Sequence, residues 1–154
     1  MRKLSILFIT FMILILILAV VPAAASSPPS DVNFEVDSLY AGTGTFTATG
    51  PAVDDGIVCE TGDTLDVFGK VAGLGNNGYN IQVIKDFTCD DQSGSFLVKL
   101  QVKVFFSGPL LSSFNWTVIG GDGAYTDLLG SGDGVGLPPN SGFDILDVYT
   151  GKMH

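Results

Sequence analysis

Glycine recurs at every second position near the end of the chain, at Gly130, Gly132, Gly134 and Gly136. Because side chains alternate between the two faces of a β-strand, these four glycines share one face. A strand that lacks side chains on one face allows a sheet to curve tightly, or a ring, a ligand or a neighbouring backbone to approach closely. The pattern therefore predicts a small curved sheet or a closed barrel, and it contains no recognisable catalytic motif.

The first 25 residues have the composition of an export signal. Arg2 and Lys3 are basic, the stretch from Leu4 to Val21 is almost wholly apolar, and Ala23 to Ala25 supplies the small residues of a cleavage site. We predict that residues 1–25 form a signal helix that is removed, and that the protein is secreted. The alternative is an uncleaved N-terminal anchor, because the apolar stretch approaches the length that spans a membrane.

The mature chain is strongly acidic. Without residues 1–25, five lysines face sixteen acidic side chains, for a net charge of −11. Such a surface repels nucleic acid and anionic membranes, because phosphate is bound by clustered lysine and arginine. We expect no nucleic-acid partner, and membrane contact only through an uncleaved N-terminal segment. We predict that residues 26–31 form an extended linker and that residues 32–154 form a single β-barrel domain. The sequence does not indicate the oligomeric state of this domain.

The chain has two cysteines, Cys59 and Cys89. An even number of cysteines in an exported chain favours a disulfide. The alternative is a reactive thiol, which needs a base or a positive charge nearby. Asp90 and Asp91 follow Cys89 and would oppose a thiolate. We therefore predict a Cys59–Cys89 disulfide.

Alternation of apolar and polar residues predicts strands along most of the mature chain. Leu65, Val67 and Val71 share one face of a segment that leads through the turn residues 75–78 into the next segment, which predicts a hairpin. No amphipathic helical repeat of useful length occurs. We predict an all-β fold, an antiparallel barrel of about eight strands, with a β-sandwich as the alternative. The longest apolar row consists of Phe96, Val98, Leu100, Val102, Val104 and Phe106.

One glycine-rich segment resembles a known family motif. Residues 120–125, Gly-Gly-Asp-Gly-Ala-Tyr, and residues 130–132 resemble the Gly-Gly-Thr-Gly-x-Phe segment and following glycine of the dirigent and allene oxide cyclase families. The resemblance implies an eight-stranded antiparallel barrel with a hydrophobic central cavity. The chain is also similar to a group of exported microbial proteins without an assigned activity, through residues 89–91, 120–125 and 147–151. The active-site residues of the plant families do not align here, so their activities are not carried over.

Reactive groups other than carboxylates are scarce. The only histidine is the last residue, His154, which disfavours catalytic triads and histidine-rich metal sites. Position 125 is tyrosine where a calcium-binding glycine repeat requires aspartate. We predict no catalytic residue, no metal and no cofactor. Aspartates in turns are typically solvated turn formers. The carboxylates that could nevertheless act as general acids or bases are Asp54, Asp55, Asp63, Asp66, Asp90 and Asp91.

Three aromatic residues are the candidates for lining a ligand cavity: Phe114, Trp116 and Tyr125. A large aromatic residue on the apolar face of a strand is more often part of the core, so both roles stay open. Asn115, in Asn-Trp-Thr, is a glycosylation acceptor that would point outward if its two neighbours point inward.

Two hypotheses on function follow. The first is a non-catalytic binding or surface-interaction module whose interior holds a small apolar ligand, as eight-stranded barrels can. The second is a cyclase-like or dirigent-like protein that guides a reactive intermediate in a shaped cavity. The second hypothesis requires an inward-facing pair of carboxylates with a cationic partner. A purely structural protein with a packed interior is the third alternative.

Overall fold

The computed structural model describes residues 28–75, 78–108, 110–139 and 142–154. The predicted signal helix lies outside these residues. Within them, no helix has the length and apolar character needed to cross a membrane. The described chain forms eight strands, a short helix α1 (Pro51–Asp54) and a 3-10 turn (Gly123–Tyr125). The strands are β1 (Ser30–Ser38), β2 (Thr43–Thr49), β3 (Thr61–Gly75), β4 (Gly78–Cys89), β5 (Ser95–Phe105), β6 (Ser112–Gly121), β7 (Gly130–Leu137) and β8 (Ile145–Met153).

The strands close into one antiparallel barrel. Each strand pairs with the next along the chain, and β8 returns to pair with β1. This closure confirms the predicted eight-stranded barrel and shows that the β-sandwich alternative was wrong. Because β1 begins at Ser30, the last two residues of the predicted linker are already part of the barrel.

The apolar row of β5 forms much of the interior. Phe96, Val98, Leu100 and Val102 are all buried. Phe106, the last member of the predicted row, follows the end of β5 and is 61% exposed. The alternation therefore predicted the inward face of β5 correctly, but Phe106 does not belong to it.

The hairpin of β3 and β4 is confirmed, since Gly75 pairs with Gly78. The face expected to be apolar is not the buried one, because Leu65, Val67 and Val71 are exposed. In β3 the inward position is instead taken by Thr64, which is buried. The pairing with β2 ends at Leu65, and β3 continues to Gly75 paired with β4 alone. The exposed Val67 and Val71 therefore lie beyond the closed part of the barrel.

Aromatic rings fill the centre of the barrel. Phe34 lies at the middle of the group, with its ring centroid 5.6 Å from that of Phe87 and 6.3 Å from that of Trp116. Edge contacts of this kind are favourable beyond the area that they bury. The other rings within 6.2 Å of Phe34 are those of Phe46, Phe96 and Tyr149.

Two of the alternating glycines of β7, Gly132 and Gly134, face large rings of the interior. A Cβ atom at Gly134 would overlap the ring of Phe114, and one at Gly132 would approach Trp116 Nε1. The missing side chains therefore make room for two large rings of the neighbouring strand β6. The structure confirms the close approach of a ring that the glycine pattern predicted.

At one end of the barrel Ser30 of β1 pairs with Met153 of β8. This end is closed by the segments between strands, whose residues Ala52, Val58 and Leu128 are buried in the core. The predicted disulfide between Cys59 and Cys89 is present and joins the segment before β3 to the end of β4. Asp122 Oδ1 accepts a hydrogen bond from the Ser95 amide at 2.8 Å, which ties the glycine-rich segment to β5. This end of the barrel has a structural role.

Candidate functional site

A cavity of about 490 Å³ opens at the opposite end of the barrel, where Ser38 of β1 pairs with Ile145 of β8. Its size is within the range of small-molecule sites, about 300 to 1,000 Å³. Tyr40 and Tyr79 lie at its rim, and Tyr40 is largely exposed. We call it the mouth cavity. Its apolar wall is formed mainly by Ile81, Val83, Leu100, Val102, Val104 and Phe114, and its polar wall by Ser38, Asp66, Lys85, Ser112 and Asp147.

Three charged residues of the polar wall form what we call the charged cluster: Asp66, Lys85 and Asp147. Lys85 is only 3% exposed, and its Nζ lies 2.8 Å from Asp66 Oδ1. The same ammonium donates a hydrogen bond to Ser38 Oγ at 3.3 Å. A buried lysine requires such partners, because an unpaired charge away from water is costly.

Asp147 is the least satisfied member of the cluster. It is 9% exposed and makes no hydrogen bond or ion pair to another described residue. Burial raises the pKa of its carboxyl to about 6, against an opposing effect of Lys85 and a smaller raising effect of Asp66. A carboxyl with this pKa exchanges its proton close to neutral pH and can act as an acid, a base or a counter-ion.

Tyr149 lies two residues from Asp147 on β8, and its hydroxyl is buried without a hydrogen-bond partner. Burial raises the pKa of this hydroxyl well above its usual value, and the neighbouring Asp147 and Asp66 raise it further. The hydroxyl therefore stays protonated. Tyr149 is not among the residues that line the mouth cavity, so Asp147 is the polar group of this strand face that a bound molecule can reach.

The alternation of the strands explains how the cluster comes together. In β4, Lys85 shares the inward face with Val83 and Phe87. In β8, Asp147 shares the inward face with the buried Tyr149. In β3, Asp66 follows the inward Thr64 and stands at the point where β2 pairing has ended. The closed barrel thus aims Lys85 and Asp147 into its interior. The exposed Asp66 reaches Lys85 from the edge of the barrel.

The predicted cavity aromatics lie in different parts of the molecule. Phe114 is in the wall of the mouth cavity. Trp116 is not, because it is 2% exposed in the aromatic core, where its Nε1 donates to the carbonyl oxygens of Asp133 and Thr150, each at 3.2 Å. Of the two roles that the sequence left open for Trp116, the structure places its side chain in the core.

Tyr125 is also outside the mouth cavity. Its hydroxyl is at the closed end, 2.7 Å from Ser93 Oγ and 3.4 Å from the Cys89 sulfur. The cause is the 3-10 turn, which folds Tyr125 under β5. Asn115 does point outward, as expected, and its side chain donates to the Asp133 carboxylate.

Among the carboxylates suggested by the sequence, only Asp66 belongs to the mouth cavity. Asp91 accepts hydrogen bonds from the amide and hydroxyl of Ser93, as a turn-forming aspartate does. Lys85 and Asp147 were not identified as site residues. The signal that could have found them is a charged residue on the apolar face of an alternating strand, since such a residue must find a partner inside the barrel.

A second depression, of about 590 Å³, lies on the outer face of β4 to β7. Its polar side chains, including Gln101 and Asn115, are exposed. We place the candidate site in the mouth cavity instead, because there the buried Lys85 and Asp147 meet an apolar wall. Among the described residues, no group of three or more histidine, cysteine, aspartate or glutamate side chains could hold a metal ion.

Comparisons of the chain with family models, with curated proteins and with solved structures gave no match. The dirigent and allene oxide cyclase resemblance therefore stays a prediction based on the glycine-rich segment.

Proposed function

We propose that the protein is an exported binding module that holds a small, mainly apolar molecule in the mouth cavity. The observation that carries the proposal is the composition of the cavity, in which an apolar wall faces a small set of buried polar groups. Ligand sites typically combine these two features, because the apolar wall supplies affinity and the polar groups fix orientation. The disulfide is consistent with a compartment outside the cytoplasm.

The position of the cavity supports the proposal. The aromatic core fills the centre of the barrel, and the disulfide and the packed loops close the far end. A ligand would therefore enter at the rim near Tyr40 and Tyr79 and stop against Phe114. An eight-stranded barrel has room for one such molecule above a filled core.

The proposal is tested by titrating the protein with Nile red, an uncharged apolar dye, while its emission is followed. We expect saturable binding that Val102→Trp weakens at least about tenfold, because the new ring would fill the cavity. The matched control is Ile119→Trp on the outer face of β6, where the residue is exposed. Val83→Phe adds a smaller ring to the apolar wall and is the second variant, in case Val102→Trp does not fold. No saturable binding by the wild-type protein, or equal binding by all variants, would contradict the proposal.

The second candidate is a cyclase-like or dirigent-like activity on the bound molecule. One observation favours it, namely that Asp66 and Asp147 both face Lys85 inside the cavity. A carboxyl with a pKa of about 6 is suited to proton transfer near neutral pH. We expect mass spectrometry of molecules extracted from the natively produced protein to distinguish the two. If the molecule on Asp147→Asn is the unconverted precursor of the molecule on the wild type, with the same atoms bonded differently, catalysis is supported. The same molecule on both proteins, or a chemically unrelated one on the variant, would support binding alone.

A further inference from the structure

The charged cluster has one more negative than positive group when all its members are ionised. Lys85 is the only cation of the cluster, and it is engaged by Asp66 and by Ser38. Asp147 has no hydrogen-bond or ion-pair partner among the described residues, although it is nine-tenths buried in the cavity wall. The wall of the mouth cavity thus carries a carboxylate whose counter-ion is not supplied by the described chain.

On this basis, and resting on the function proposed above, we propose that the mouth cavity selects an apolar molecule that ends in a protonated amine, with Asp147 as its counter-ion. A single ammonium group would neutralise the cluster and donate hydrogen bonds to the carboxylate. A carboxylate ligand would instead bring a second uncompensated negative charge into a poorly hydrated site. An alcohol could donate one hydrogen bond but would leave the charge unbalanced.

Two further observations agree with a cationic head group. The ring of Phe114 lies in the cavity wall, and the face of an aromatic ring attracts a nearby cation. The net charge of −11 of the mature chain also raises the local concentration of cations over that of anions.

The test compares three ligands with the same hydrocarbon chain: octylamine, octanol and octanoate. Isothermal titration calorimetry at about pH 8, where Asp147 is ionised, gives each dissociation constant. We expect octylamine to bind at least about tenfold more tightly than the other two. Equal affinities, or tighter binding of octanoate, would overturn the amine proposal and leave the binding function standing. Failure of all three to bind, together with Nile red, would contradict both.

The role of Asp147 is tested by Asp147→Asn, which keeps the size of the side chain and removes its charge. We expect this variant to lose the preference, so that its affinities for octylamine and octanol differ by less than about twofold. The matched control is Asp63→Asn, which removes a carboxylate from an exposed position of β3. An unchanged preference in Asp147→Asn, or an equal loss in Asp63→Asn, would show that Asp147 is not the counter-ion.

The wild-type protein provides a second test that needs no variant. The titratable groups that face Asp147 are Lys85, Asp66 and Tyr149. Octylamine stays protonated at these pH values, as a lysine side chain does. We expect its affinity to fall about tenfold for each pH unit below about 6, while that of octanol stays constant. Equal pH profiles for the two ligands would overturn the proposal.

Discussion

Asp147 links the stability of the barrel to pH in a way that a single substitution can measure. Its pKa is raised from 3.8 to about 6 in the folded chain, mainly because the carboxyl is buried. The folded state therefore holds the Asp147 proton more tightly than the unfolded state does. The carboxylate destabilises the fold above about pH 6, and this destabilisation disappears as the pH falls to about 4.

The size of the effect follows from the shift. A change of about two pKa units corresponds to roughly 3 kcal/mol, at about 1.4 kcal/mol for each unit. Asparagine does not titrate, so the difference in unfolding free energy between Asp147→Asn and the wild type isolates this carboxyl. We expect the variant to gain about 3 kcal/mol relative to the wild type between about pH 4 and about pH 8.

Urea denaturation followed by the fluorescence of Trp116 measures the two free energies, because this residue is buried in the core. Asp63→Asn serves as the control for a general effect of removing one negative charge. A difference between Asp147→Asn and the wild type that does not change with pH would refute the reasoning, since it would mean that Asp147 is not desolvated. A pH-dependent gain of the same size in Asp63→Asn would refute the assignment to the cavity.

Three further outcomes are expected. Gly134→Ala should lower the free energy of unfolding by about 1 to 3 kcal/mol, because the added Cβ overlaps the ring of Phe114. Gly120→Ala should change it little, because no atom lies within 4 Å of the added Cβ, and equal effects of the two variants in urea denaturation would contradict the packing. Replacing Cys59 and Cys89 together by serine should cost roughly 3 to 4 kcal/mol in the same assay, and an unchanged midpoint would contradict a stabilising role. Lys85→Met should raise the pKa of the Asp147 carboxyl above about 6, because it removes the positive charge that lowers this pKa. Carbon-13 NMR measures the pKa, and an unchanged value would contradict the electrostatic interaction between Lys85 and Asp147.

The barrel itself could be predicted from local sequence patterns. Alternation in β5 places Phe96 to Val102 inside, and the glycines of β7 indicate where the large rings of β6 are accommodated. These features depend on neighbouring residues and on the two-residue period of a strand. A closed barrel, with a β-sandwich as the alternative, was predicted from the number of strands and the tight curvature that the glycines allow, whereas the pairing of β8 with β1 was not specified.

The candidate site was harder to predict, because its members come from three strands. Asp66, Lys85 and Asp147 are far apart in the chain, and only the closed barrel brings them together. The prediction of an apolar inner face for β3 was wrong for a related reason. Leu65 and Val67 are exposed, because β3 loses its pairing with β2 at Leu65, which the local sequence does not indicate. Trp116 and Phe114 share the inward face of β6, but they lie at different depths along the barrel. Trp116 is therefore in the core and Phe114 in the wall of the mouth cavity.

The central claim, that one end of this barrel receives a small apolar molecule, is tested most directly by an NMR titration of the protein with octanol. We expect saturable shifts of the methyl signals of Val83, Leu100 and Val102, which line the mouth cavity, and constant signals for Val32 and Met153 in the closed end. Shifts that do not saturate, or that are equally large at both ends of the barrel, would contradict the account.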